Sequence, residues 1–143
     1  MAMLVGGASA AVRDTISLNA GWQFHLGELA GIEAVKNAKS ERVNLPHDFL
    51  IGQPWVEPDA SERPDNSDAG SNVRSRLSPR GFKEMNVGWY RYVLTPKAEW
   101  KGRRVVLDFQ GIMLVGDVWL NGKHIGKTDY GYLGFDTDIS SIL

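Results

Sequence analysis

Asp129, Asp136 and Asp138 crowd the stretch DVWLNGKHIGKTDYGYLGFDTDIS, which runs from Asp117 to Ser140. Paired carboxylates serve as acid and base in glycoside cleavage, one protonated and one ionised. Asp136 and Asp138 are two residues apart, so on a strand they share a face. Keeping one of them protonated needs an apolar pocket, and the neighbouring residues supply none. The simpler role is structural. In DISSIL, Asp138 stands where a side-chain oxygen caps a turn. No catalytic residue is assigned.

The other chemistry-bearing residues narrow the field further. His25, His47 and His124 lie far apart in the chain, whereas a metal site needs three or four converging ligands. His25 and His47 are expected as polar partners at strand ends, His124 as a solvated hairpin residue, and no metal or cofactor is expected. The chain has no cysteine, which excludes disulfides, thiolate metal sites and cysteine nucleophiles. Gly-rich phosphate loops, G-x-S-x-G and His-Glu-x-x-His are absent too.

Five Trp and four Tyr remain, and flat rings either fill a core or stack on sugars. Trp22, Phe24, Tyr90, Tyr92 and Phe109 sit at strand alternation and read as core. Trp55, Tyr130 and Tyr132 sit in loops, where an exposed ring calls for another explanation.

The elements that must position these residues read as β-structure. In TISLNAGWQFHLG, Ile16 and Leu18, then Trp22 and Phe24, alternate with polar residues around an Asn19-Ala20-Gly21 turn. Leu29 to Arg42 has weak helical spacing without a firm cap and predicts a turn or short helix at most. RVNLPHDF predicts a short extended segment that Pro46 ends. From Gly52 to Asn86 come four prolines and few aliphatics, a long loop whose middle, Glu57 to Arg80, is expected to be mobile in isolation. GWYRYVLT and RRVVLDFQG then alternate as strands, and DVWLNGKHIGKT is a hairpin with Asn121-Gly122 at its tip. The pattern predicts an antiparallel β-sandwich, with one face of a sheet docked against something else.

With 143 residues there is room for one domain, here 14–143 behind a leader of residues 1–13. Sixteen basic against seventeen acidic side chains leave no basic surface for nucleic acid. No segment is long and apolar enough to cross a membrane as a helix. Ala8-Ser9-Ala10 has the small-x-small form of a signal-peptidase site, so the first residues read as a signal remnant or a tag. The signal reading carries the expectation of a periplasmic or secreted protein.

GWQFHLG, NLPHDF, GWYRY, LDFQGIM and DVWLNGKHIGKTDYGYLGFDTDIS occur in this order. In that register they resemble the amino-terminal, sugar-binding-type domain of glycoside hydrolase family 2. The wording is β-galactosidase-like, with β-glucuronidases and β-mannosidases as relatives. The resemblance covers about residues 14 to 143 apart from the long loop. It implies a jelly-roll, galactose-binding-like β-sandwich, followed in the whole enzyme by an immunoglobulin-like domain and a TIM barrel. The barrel would carry the catalytic glutamates of a retaining exo-glycosidase. This chain would be a non-catalytic scaffold, inactive alone, that shares a carbohydrate substrate with the barrel. The loops after the hairpin and before GWYRY would line the sugar pocket, which implies substrate contacts from Asp129, Tyr130, Tyr132 and Asn86. Relatives continue past DISSIL with one or two more strands, so an open sheet edge, available for pairing with a second copy, is expected. The alternatives are an independent carbohydrate-binding module and a plain interaction domain.

Overall fold

The computed structural model describes residues 13–56, 83–84 and 86–143. The leader up to residue 12 and the expected mobile segment from Glu57 to Arg80 lie outside the described residues. Within them the fold is all-β. Seven strands form antiparallel ladders: β1 Trp22–Leu26, β2 Glu41–Val43, β3 Gly88–Arg91, β4 Val106–Phe109, β5 Gly116–Leu120, β6 Lys123–Thr128 and β7 Phe135–Asp138. They make a three-stranded sheet in the order β2-β1-β3 and two ribbons, β4-β7 and β5-β6.

Alternation along β1 puts Trp22 and Phe24 on one face, Gln23 and His25 on the other. Phe24 is buried, 4% exposed, in a cluster of rings. His47, Tyr90 and Phe49 stand 4.8, 4.9 and 5.6 Å from it, centroid to centroid. Phe49 opens a 3₁₀ turn, Phe49–Gly52, that Asp48 caps by accepting from the Leu50 amide at 2.9 Å. The turn can lie this close because β3 begins with glycine. A Cβ on Gly88 would sit 2.7 Å from the Phe49 ring. Tyr90 shares a hydrogen bond of 2.8 Å with His47 Nδ1. Burial, and secondarily the Asp48 charge, push its phenol up to about 12.

The hairpin forms as its sequence dictates. Asn121 and Gly122 take φ of 50 and 83, the left-handed values that a two-residue turn requires. A bulge between Val118 and Trp119 shifts the register, and Trp119 lies against Trp89 of β3 with ring centroids 6.5 Å apart. In the β4-β7 ribbon, Phe109 stacks on Phe135 at 4.9 Å. Phe135 in turn covers Gly126, whose added Cβ would stand 2.6 Å from its ring. Ile139, just past β7, has no exposed surface and donates its amide to the Val105 carbonyl at 2.9 Å.

Two sequence expectations meet the structure differently. Ile16 and Leu18 form no strand. Among the described residues, 13–19 have no ladder partner, and the segment is tied at single points. Leu18 accepts from the Trp22 indole at 2.6 Å and Asn19 accepts from the Leu45 amide at 2.7 Å. The weakly helical stretch is a 3₁₀ turn, Ile32–Lys36, with no side-chain cap at Gly31, in line with its missing cap signal. Asp138 is the turn cap expected. Its Oδ1 accepts from the Ser140 amide at 3.0 Å and from the Ser140 hydroxyl at 2.6 Å, and Arg104 Nε donates to Oδ2 at 3.0 Å.

Truncating Phe24 to alanine should cost about 3–5 kcal/mol, a large share of the roughly 5–15 kcal/mol that a small domain has. Urea unfolding followed by tryptophan fluorescence measures it, and a shift under 1 kcal/mol would contradict a core centred on this ring. The Ser140 bonds first, and Arg104 second, hold the Asp138 carboxyl down to about 2. Its folded pKa lies below its unfolded one, so its contribution is complete at neutral pH and disappears as pH falls from about 4 to 2. Asp138→Asn should therefore lower the unfolding midpoint at pH 7, and the difference from wild type should shrink steadily as pH falls towards 2.

Candidate functional site

Two loops leave the paired ends of β4 and β7, where Phe109 faces Phe135. One, residues 110–115, leads into β5, and the other, residues 129–134, comes from β6. They interlock through glycine. A Cβ on Gly131 would lie 2.5 Å from Met113 Sδ, 2.8 Å from the Leu114 nitrogen and 3.0 Å from Met113 Cα. One on Gly134 would meet the Phe109 carbonyl oxygen at 2.6 Å. Leu114 adopts φ of 63, a left-handed conformation uncommon for a branched residue, at this crossing. Thr128 fixes the start of the second loop. Its hydroxyl accepts from the Tyr130 amide at 3.3 Å and donates to the Tyr130 carbonyl at 3.2 Å.

This tight backbone packing turns side chains outward. Tyr132 is 76% exposed, Val115 64%, Leu133 63%, Tyr130 55% and Met113 54%. The Tyr130 and Tyr132 rings are 5.7 Å apart and inclined by 56°. Asp129, exposed beside them, adds a carboxylate. Aromatic faces and a carboxylate together can take a sugar, the rings against its C–H faces and the oxygens accepting from its hydroxyls.

The structure thus brings Asp129, Tyr130 and Tyr132 into one patch. Asn86 comes from a separate segment of the chain, the one that leads into β3. It precedes β3, half-buried, with its side-chain oxygen accepting from the Val87 amide at 2.9 Å. Val87 in turn accepts from Gly27, and a Cβ on Gly122 of the hairpin tip would lie 3.8 Å from Glu33 of the neighbouring 3₁₀ turn. The tyrosines follow the base of the β5-β6 hairpin, where β6 ends at Thr128.

Met113, Val115 and Leu133 join the patch without having been singled out from the sequence. The available signal was the run IMLV between Gly111 and Gly116, an apolar stretch too short and too closely flanked by glycine to be core strand.

Of the remaining candidates, the histidines have structural partners and Asp136 faces a like charge. Asp136 stands directly opposite Asp108 on β4, and both are exposed. His25 Nδ1 is 2.7 Å from the Lys39 carbonyl oxygen, and His124 Nε2 is 2.8 Å from Asp117 Oδ1. No group of three His, Asp or Glu is placed to hold a metal among the described residues. Trp55, 72% exposed, is the ring under the Lys83 ammonium, 4.1 Å from its centroid. Lys83 also donates to the carbonyls of Gln53 and Ile51 at 2.7 and 3.2 Å, which clamps the neck of the long loop. Pocket lining by Trp55 is not needed to account for its exposure.

Comparison with known proteins agrees with this architecture. Residues 81–143 match the family described as glycosyl hydrolase 2 galactose-binding domain-like. The β-galactosidase BoGH2A of Bacteroides ovatus is 29% identical over 92% of this chain, and the match takes in 14% of that protein. A β-galactosidase of Priestia megaterium is 30% identical over 89% of this chain and 13% of its own length. A β-glucuronidase of Bacteroides fragilis is 27% identical over 93% of this chain and 15% of its own length. Among solved structures, a β-glycosidase from Bacteroides vulgatus superposes with a TM-score of 0.69 at 30% identity, over 92% of this chain and 16% of that one. The chain thus spans about one seventh of the length of the relatives it matches.

Replacing Gly131 with alanine sets a Cβ 2.8 Å from the Leu114 nitrogen and 3.0 Å from Met113 Cα, so that backbone must shift. The two loops should separate, and hydrogen exchange of amides 112–115 and 129–134 should quicken by about tenfold. Exchange in β1 and β3 should stay unchanged. Unaltered exchange in both loops would show that the interlock does not hold them.

Proposed function

Because this chain is a galactose-binding-like amino-terminal domain of glycoside hydrolase family 2, we propose that it serves as the non-catalytic shoulder of a longer exo-glycosidase. The enzyme would hydrolyse the O-glycosyl bond of a terminal β-galactoside or a related β-glycoside. The supporting observation is the pairing of coverage with surface. Nine-tenths of the chain matches a small part of much longer glycosidases. The end of the fold where two loops interlock offers six apolar side chains to solvent, Leu114 included.

The division of work follows from the chemistry present. Met113, Leu114, Val115 and Leu133 form an apolar surface suited to docking against a barrel domain of the same polypeptide. Tyr130, Tyr132 and Asp129 stand beside that surface and would close one side of the sugar pocket. The reacting carboxylates of a retaining hydrolysis belong to the barrel. Nothing in this patch supplies an acid and a nucleophile about 5 Å apart.

A free-standing carbohydrate-binding module is the other reading. The 56° inclination of the Tyr130 and Tyr132 rings weighs against it, since a flat glycan chain stacks on coplanar rings. Paired rings at an angle suit the corner of a pocket.

The test uses the full-length gene product and the 143-residue chain side by side on p-nitrophenyl β-D-galactopyranoside and the matching β-D-glucuronide. The full product should hydrolyse at least one of them, and the isolated chain neither. In the full product, Tyr132→Ala should raise KM about tenfold with a smaller change in kcat, as expected for loss of a contact made equally in ground and transition states. Hydrolysis by the isolated chain, or an unchanged KM in the variant, would overturn this assignment.

A further inference from the structure

The three-stranded sheet has a second face, opposite the Phe24 cluster. In its ladder Gln23 of β1 pairs with Arg42 of β2 on one side and with Arg91 of β3 on the other. The three side chains therefore form one row across the sheet. The two arginines are two strand spacings apart, about 9–10 Å at the backbone. Arg91 Nη1 donates to Gln23 Oε1 at 2.6 Å, so a neutral group holds this guanidinium in place and leaves its charge uncompensated. The Arg42 side chain makes no hydrogen bond or ion pair among the described residues. The row borders a shallow groove of about 610 Å³. Ala20 and Gly21 line it together with Tyr92, whose ring packs on Trp22 at 5.1 Å, and Glu41 is the one acidic residue of the lining.

We propose that this groove is a binding site for an acidic glycan, one whose sugars carry carboxylate or sulfate groups, separate from the tyrosine patch. The inference rests on the glycosidase reading for the choice of a sugar ligand. The chemistry of the row supports it independently. Two guanidiniums and the free amide N–H groups of Gln23 offer donors only, and a ligand rich in acceptors and negative charge satisfies them. Groove volume falls in the range of small-ligand sites. An acidic peptide is the less suitable occupant, because extended peptides join a sheet at its edge through backbone bonds. Here the donors are side chains standing on the face. In the whole enzyme such a site would hold a charged polysaccharide near the pocket while terminal residues are removed.

The test is affinity electrophoresis of the 143-residue chain at 0.15 M salt, roughly one Debye length of 8 Å. The gels contain polygalacturonate, a sulfated galactan, a neutral galactan or poly-L-glutamate. Retardation by polygalacturonate or by the sulfated galactan, with none by the other two polymers, is the expected result, and the responding gel identifies the anion. Arg42→Gln and Arg91→Gln should each weaken the interaction about tenfold, the loss typical of one charge-assisted contact. Lys123→Gln, at the start of β6, should leave it unchanged. Absence of retardation, equal retardation by poly-L-glutamate, or insensitivity to both arginine substitutions would overturn the proposal. Hydrolysis plays no part in the readout. Failure here leaves the pocket-wall assignment intact, and failure of that assignment leaves the binding result readable.

Discussion

Close approach of rings to backbone at glycine is the constraint on which this structure depends. Among the described residues only Phe24 and Ile139 are buried apolar side chains, so the core is thin at both centres. Cohesion comes instead from aromatic faces laid directly on strands. Phe49 reaches Phe24 because Gly88 has no side chain, and Phe135 crosses β6 because Gly126 has none. A methyl group at either position would push a ring out by about an ångström, and a close-packed interior loses dispersion steeply with such gaps. The ladders supply direction, and the glycines supply contact between them.

The same device builds the candidate site. Gly131 and Gly134 bring two loops within van der Waals distance of each other and of the β4 carbonyls. Space between the loops is thereby used up by backbone, and their side chains have nowhere to go but outward. Exposure of Tyr132, Leu133, Val115 and Met113 is thus a consequence of tight packing rather than of looseness. That matters for recognition. Side chains on rigid backbone lose less entropy on binding than the same side chains on a wandering loop.

Much of this was readable from residue types. Asn121-Gly122 specified the hairpin because few residue pairs tolerate two positive φ values, and Asp138 specified its turn through one short side chain. These are local signals, decided within a few residues. What the sequence could not convey was non-local. Ile16 and Leu18 alternate like a strand, but a strand exists only where a partner lies alongside, and Asn19 offers Leu45 a single bond. The run from Ile112 to Val115 has core composition, and only its collision with Gly131 turns it into surface. Asn86 and Tyr130 resemble two walls of one pocket in a linear motif. The Asn86 side chain turns back on the Val87 amide, a bond that no motif announces.

The two faces of the β2-β1-β3 sheet show how one alternation serves two purposes. Phe24 and Tyr90 point into the ring cluster, and the intervening Gln23 and Arg91 point away from it. A one-residue slip of β1 against β3 would send Gln23 into the aromatic cluster and Phe24 into water. The hydrophobic cost of that slip fixes the register, and the register then fixes the arginine row as accurately as it fixes the core. Arg42, Gln23 and Arg91 need no loop to hold them in line. Charged side chains on a short outer strand such as β2 also discourage edge-to-edge pairing between copies. That function would be met by any charge, in any register, on either side. Alignment of two guanidiniums across a glutamine that orients one of them asks for more, and it is the alignment, rather than the charge, that makes the face selective.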